Sequence, residues 1–171
     1  MIAPTEVEAK AKRLERQNYK FRTFLKCRAD DDKLDAQFLE LHKELFANYD
    51  CDKCNNCCKT FDIILDSDEA KNISAFLGMT ESDFAAKYLT DADVDDEKPF
   101  KFKANPCTFL GGDGCCRIQD CKPEVCKYFP YTDQPDRLSS MCGIIEHAEV
   151  CPVVFEILER LKKMYRFRNR A

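Results

Sequence analysis

The stretch Cys51-Asp52-Lys53-Cys54-Asn55-Asn56-Cys57-Cys58 puts four thiols into eight residues. Two interlocked C-x-x-C steps end there in a vicinal pair. Each C-x-x-C spacing lets a tight turn aim two sulfurs at one point, about 3.5 to 4 Å apart, as a tetrahedral thiolate site requires. Core packing asks for no such spacing. A second cysteine-dense stretch holds Cys107, Cys115, Cys116, Cys121 and Cys126, with Cys142 and Cys151 beyond it. The sequence therefore points to a helix-rich α+β protein with a small, irregular cysteine-cluster core and short strands. An N-terminal helical hairpin and a C-terminal helix are expected to pack on that core.

Thiolates, not thiols, bind metal, and several of them buried together are electrostatically costly without a cation. Four thiolates around a zinc ion or a [4Fe-4S] core leave a formal charge near −2. Lys53, Lys59, Arg117, Lys122 and Lys127 each adjoin a cysteine and can offset it. Adjacent side chains diverge, so Cys51, Cys54 and one of Cys57 and Cys58 are expected to share a centre. The other then reaches a second centre or bridges two metals. The spacing Cys51-x2-Cys54-x2-Cys57 also copies the first three ligands of a bacterial ferredoxin cluster, and Cys151-Pro152 copies its remote Cys-Pro ligand. The ferredoxin run, however, places its fourth cysteine three residues on, not next door. Zinc and iron both fit.

With 171 residues, one domain or one domain with a helical appendage is expected. The boundaries read as a hairpin over 1–49 and a metal-binding domain over 50–171. The net charge of −4 does not point to nucleic acid. Charge is uneven, with 11 acidic and 2 basic residues from Asp62 to Glu97, and six basic and no acidic residues from Arg160 onward. That basic end reads as a solvated helix terminus. No segment approaches the ~20 apolar residues of a membrane span, and the first residues lack a secretion-signal pattern. The cytoplasm is the expected compartment, where clustered cysteines more often mean metal than disulfide. Adjacent-residue disulfides at Cys57-Cys58 or Cys115-Cys116 would also be strained.

Residues 5–28 read as an amphipathic helix with Val7, Leu14, Phe21, Phe24 and Leu25 on one side. Asp30-Asp31-Asp32 caps a second, striped by Leu34, Phe38, Leu41 and Leu45. Thr60 to Leu65 suggests a strand. Asp66 to Glu69 opens a helix that buries Ile73, Phe76 and Leu77 and stops at Gly78. Thr80-x-x-Asp83 opens another, burying Phe84 and Tyr88 and reaching Leu89. Asp91 to Glu97 is an acidic loop, and Pro99 to Lys103 an edge strand. Gly111 to Gly114 is a tight turn. Lys122-Pro123-Glu124 starts a helix carrying Cys126 and ended by Pro130, and a last helix runs from Pro152 to about Arg168.

These blocks are recognisable together. The C-x-x-C-x-x-C-C run is followed by Cys107-Thr-Phe-Leu, by Gly114-Cys115-Cys116-Arg-Ile and by Lys122-Pro-x-x-Cys126-Lys-Tyr-Phe-Pro130. Together they resemble the YkgJ-type cysteine-cluster family, described as a zinc- or iron-chelating domain and also as Fe–S-containing. The resemblance covers roughly residues 50–145. It implies Cys51, Cys54, Cys57, Cys58, Cys107, Cys116 and Cys126 as metal ligands, with Cys142 as the eighth. Thr108, Gln119 and Lys122 depart from the family's Pro, Tyr and Arg, and a Lys lacks the bidentate fork of a guanidinium. Cys27, Cys115, Cys121 and Cys151 lie outside the pattern, and Cys27 and Cys121 read as buried free thiols. His147 and Cys151 could clasp a metal if both stood on one helix, although His147, like His42, reads first as an ordinary structural residue.

No catalytic set is legible. The first functional reading is a zinc- or iron-binding module that works through a protein partner. An Fe–S-dependent redox or protein-modifying enzyme is the second, since flagellin lysine methylases contain a similar domain. Metal storage or delivery is the third, with surplus thiols such as Cys115 and Cys121 as exchange ligands.

Overall fold

A computed structural model describes residues 1–92, 97 and 99–168. The expected acidic loop thus lies partly outside the described residues, as does Arg170 of the basic end. The chain divides into two compact units, one formed by Met1–Asp50 with Pro130–Ala171 and the other by Cys51–Phe129.

The first unit is helical. Its α1 (Val7–Arg28) buries Val7, Ala11, Asn18, Phe21 and Leu25. Its α2 (Asp31–Phe46) buries Leu34, Phe38, Leu41 and Leu45, the stripe expected from its 4-3-4 spacing. The Asp30 side chain caps α2 by accepting from the Lys33 amide at 3.0 Å. Leu14 and Phe24 are only partly covered. Cys27, expected buried, is exposed, because it stands two residues past Leu25 on a helix that buries one stripe.

Two further helices, α8 (Met141–His147) and α9 (Pro152–Met164), complete this unit. The C-terminal helix, expected with the cysteines over 50–171, belongs to the helical unit. In the structure α9 packs against α1, α2 and α8, and it is buried along Val153, Val154, Ile157, Leu158 and Leu161. It ends at Met164, short of Arg168, where Phe21, Phe24, Tyr165 and Phe167 form an aromatic cluster. The basic end is not simply solvated: Lys162 is 6% exposed and pairs with Glu159, and Arg160 bridges to Glu44 of α2 at 2.7 Å. The segment before α8 is tied down by Asp35, whose carboxylate accepts from the Asp136 and Arg137 amides at 2.8 and 2.9 Å.

The second unit holds α3 (Cys51–Cys54), α4 (Asn56–Thr60), β1 (Ile64–Leu65), α5 (Ser67–Phe76), α6 (Glu81–Tyr88), β2 (Leu89–Asp91), β3 (Phe100–Phe102) and α7 (Glu124–Lys127). The strand expected from Thr60 is confined to Ile64–Leu65. Its β3 is not an edge strand: the order β1-β3-β2 makes it central, with Ile64 opposite Lys101 and Leu89 opposite Phe102. Asp66 and Glu69 form a full capping box on α5. Phe76, expected to be buried, is 49% exposed, because α5 turns only Ala70, Ile73 and Ser74 fully inward. The core comprises Ile63, Leu65, Ile73, Phe84, Leu89, Phe102, Phe109 and Ile118, among others. Packed on it are Cys107, Cys116, Cys121 and Cys126. No helix among the described residues is long and apolar enough to cross a membrane.

Candidate metal centre

The cysteine run Cys51 to Cys58 is one helical turn, a break and a second turn. The break is Asn55, which adopts the left-handed region at φ 56° and ends α3. Asn is among the few residues with a side chain that enter this region cheaply. Its Nδ2 donates to the Asp52 carbonyl at 2.6 Å, and its amide donates to the Cys51 carbonyl at 3.0 Å. Cys57 and Cys58 then follow Asn56 in α4, with their sulfurs 4.0 Å apart.

The later cysteines reach this run through the backbone. The Cys107 amide donates to the Cys58 carbonyl at 2.8 Å. Residues 109–117 double back, with Gly111 donating to the Cys115 carbonyl and Arg117 to the Phe109 carbonyl, each at 2.8 Å. Gly114 sits at the turn with φ +88° and is pressed against the Asp52 carbonyl. A Cβ there would collide with that oxygen, so the close approach demands glycine. Cys126 rides on α7, whose first amide, that of Glu124, donates to the Glu69 carboxylate at 2.7 Å. The sequence marks Glu69 only as part of the start of α5. Its partner lies 55 residues on, and no local pattern announces it.

Four thiols of different blocks are within electrostatic reach of one another in every pairing: Cys58, Cys107, Cys116 and Cys126. Their acidities diverge. Cys58 is pulled down to about 6, first by the hydrogen bond from Cys57 and further by Lys122 and Lys59, against burial that pushes the other way. Burial raises the Cys107 and Cys116 thiols, opposed in part by backbone amides, from Phe109 at Cys107 and from Ile118 at Cys116. Cys126 is pushed up to about 12, mainly by burial and then by Cys107, Cys58 and Cys116. Lys122 acts on Cys58, Cys116 and Cys126 alike, favouring the thiolate at each. As a lysine it supplies the charge without a bidentate fork.

The remaining site candidates fall elsewhere. Cys51 and Cys115 are exposed, and Cys54 and Cys57 half-buried. Cys121 is partly covered rather than buried and interacts with Cys116. Cys142 lies half-buried on α8 and Cys151 is buried, both in the helical unit. The His147–Cys151 clasp does not form on one helix: His147 closes α8, and Cys151 is the extended residue before α9. Both histidines belong to the helical unit, so the cysteine unit offers sulfur and carboxylate donors alone. Among the described residues, no three His, Cys, Asp or Glu side chains already converge at ligating distance on one point. The donor chemistry still fits: an all-thiolate set with amide hydrogen bonds to sulfur and a nearby cation suits zinc or iron.

A family model matches residues 50–152, more than half of the chain, under the description "CxxCxxCC: Putative zinc- or iron-chelating domain". No curated protein and no solved structure matches the chain.

Proposed function

Since the chain belongs to the CxxCxxCC family of zinc- or iron-chelating domains, we propose that its cysteine unit holds one metal centre through Cys58, Cys107, Cys116 and Cys126, and that this centre organises a protein-binding module. One observation carries the reading. These four thiols, drawn from all the cysteine blocks between residues 51 and 126, influence one another in every pairing. Cys107, Cys116 and Cys126 pack at the margin of the unit's apolar core, and Lys122 offsets charge at Cys58, Cys116 and Cys126. A bound ion draws them from electrostatic range into bonding range. It also offsets the burial, and the weaker repulsion from the other thiols, that keep Cys126 protonated.

Cys51, Cys54, Cys57 and Cys142, implied as ligands by the resemblance, are not needed for this centre. An iron–sulfur cluster on the same four thiols is the alternative occupant. Anaerobic purification followed by metal and acid-labile sulfide analysis tests both. A colourless protein with zinc and no sulfide supports a tetrathiolate ion, and absorbance near 400 nm with labile sulfide supports a cluster. Retention of all metal by both Cys58→Ser and Cys126→Ser would overturn the ligand set.

A further inference from the structure

We propose that the helical unit carries a cationic docking surface for an acidic protein segment, formed by Arg28 of α1 with Lys163, Arg166 and Arg168 at the end of α9. The surface goes beyond the metal centre, since it lies in the other unit and uses none of the cysteines.

The charge begins in the sequence. From Arg16 to Arg28 there are five basic residues and no acidic one, and the chain from Arg160 onward is likewise without acids. Packing joins the two runs. The Phe167 ring stands 5.2 Å from Phe21 and 5.4 Å from Phe24, centroid to centroid. Phe24 has Lys20 and Arg28 four residues to either side, on one row of α1. Phe167 has Arg166 and Arg168 as its neighbours. The aromatic contact thus gathers cations from segments far apart in the chain. Arg28, Lys163, Arg166 and Arg168 are exposed, and none of the four forms an ion pair among the described residues. Asp30, the acid nearest to Arg28 in sequence, is committed to the cap of α2.

The backbone supplies an independent sign. Helix α9 ends in a complete Schellman turn, in which the Arg166 amide donates to the Lys163 carbonyl at 3.0 Å and the Phe167 amide to the Lys162 carbonyl at 2.8 Å. Arg166 holds the left-handed position of that turn, at φ 49°. Glycine is usual there and enters freely, whereas a residue with a Cβ enters at a cost. The exposed Arg166 side chain makes no hydrogen bond or ion pair among the described residues to offset that cost. What its guanidinium meets from outside the chain accounts for it.

Carboxylates complement these cations, and Met164, 48% exposed beside Lys163, adds an apolar contact. Nucleic acid fits less well. The rings of Phe21, Phe24 and Phe167 pack on one another, and the Tyr165 hydroxyl donates to Gln37 Oε1 at 2.8 Å, so these aromatics serve the fold rather than base stacking. The net charge of −4 also repels a polyanion at long range.

The test is fluorescence anisotropy of a labelled glutamate-rich peptide with interspersed leucines, titrated with the full metal-loaded chain at low and at high salt. The parent should bind at low salt and lose affinity as salt rises. Arg166→Gly should weaken binding about two- to fivefold, the range of one exposed charge pair. Its thermal midpoint should stay at or above the parental value, because glycine relieves the turn. Adding Lys163→Ala and Arg168→Ala should bring the loss to about tenfold or more, and Arg166→Lys should stay near parental affinity. Lys12→Ala, at a cation already paired with Glu8, should change nothing. No binding by the parent at low salt, or equal weakening by Lys12→Ala and Arg166→Gly, would overturn the surface. Tighter binding of a single-stranded RNA oligonucleotide or of phosphatidylserine vesicles than of the peptide would overturn the partner. Each of these failures would leave the metal and sulfide analysis of the cysteine quartet untouched.

Discussion

At the level of single residues, the thiols of the cysteine unit divide by acidity, and the division is testable. With pKa lowered to about 6, the Cys57-Cys58 pair carries one thiolate at neutral pH, held mainly on Cys58, because thiolate forms as pH rises through that value. In metal-free protein, iodoacetamide should therefore label Cys58 first, with a rate that rises to half its plateau near pH 6. Cys126, pushed up to about 12, should resist labelling throughout the neutral range. Peptide mass spectrometry from pH 5 to 9 reads the order, and equal rates at the two would refute it. The same division sets proton release. Of the four quartet thiols, Cys58 is already ionised at pH 7.5, and the other three are raised above their ordinary value. Zinc loading there should release about three protons into weak buffer. Gly114 supplies a further prediction. Gly114→Ala forces a side chain into the left-handed region and onto the Asp52 carbonyl, which should cost about 1–3 kcal/mol. Denaturant unfolding of the metal-loaded protein measures it.

At the level of elements, Glu69 couples α5 to α7. One carboxylate oxygen accepts from the Asp66 amide at 2.9 Å and closes the capping box, while the other accepts from the Glu124 amide at 2.7 Å. Asp66→Ala should cost only the cap, about 0.5–2 kcal/mol, and leave metal affinity near parental. Glu69→Ala should lower both stability and zinc affinity, because it also loosens the helix that holds Cys126. Competition with a chromophoric chelator separates the two variants, and equal affinities would sink the coupling. What the sequence disclosed follows the same local logic. The cap at Asp66, the Asp30 cap of α2 and the α2 stripe were legible because a few adjacent residues encode them. The central position of β3 was not, since it depends on β1 arriving from more than thirty residues earlier. Helix α8 was missed for another reason: Ser140 makes no side-chain cap, and Gly143 interrupts the helical pattern. The cysteine motif disclosed a thiolate site, but the grouping of Cys58 with Cys107, Cys116 and Cys126 emerges only when distant segments meet.

For the whole molecule, the two units should answer metal removal differently. The helical unit has a continuous apolar core in Phe21, Leu25, Leu34, Phe38, Met141, Ile144, Ile157 and Leu158, all essentially buried. Such a core should cohere without metal. In the cysteine unit, short helices and two- or three-residue strands surround a smaller core, with thiols at its margin. Structural zinc contributes about 10–16 kcal/mol of apparent binding energy, as much as the net stability of an ordinary domain, about 5–15 kcal/mol. Stripping it should therefore unfold residues 51–129 and spare α1, α2, α8 and α9. Chelation under reducing, anaerobic conditions would then remove the smaller share of the helical dichroism, because the three longest helices, α1, α2 and α9, lie outside the cysteine unit. Hydrogen exchange locates the loss. Amides between 51 and 129 should exchange quickly after chelation while those of α1 and α9 stay protected, and refilling with zinc should restore the first set. Uniform loss across the chain would mean that the helical unit also depends on the metal. Unchanged protection at 51–129 after complete removal would mean that the apolar core around Ile73, Phe84 and Phe102 suffices without it.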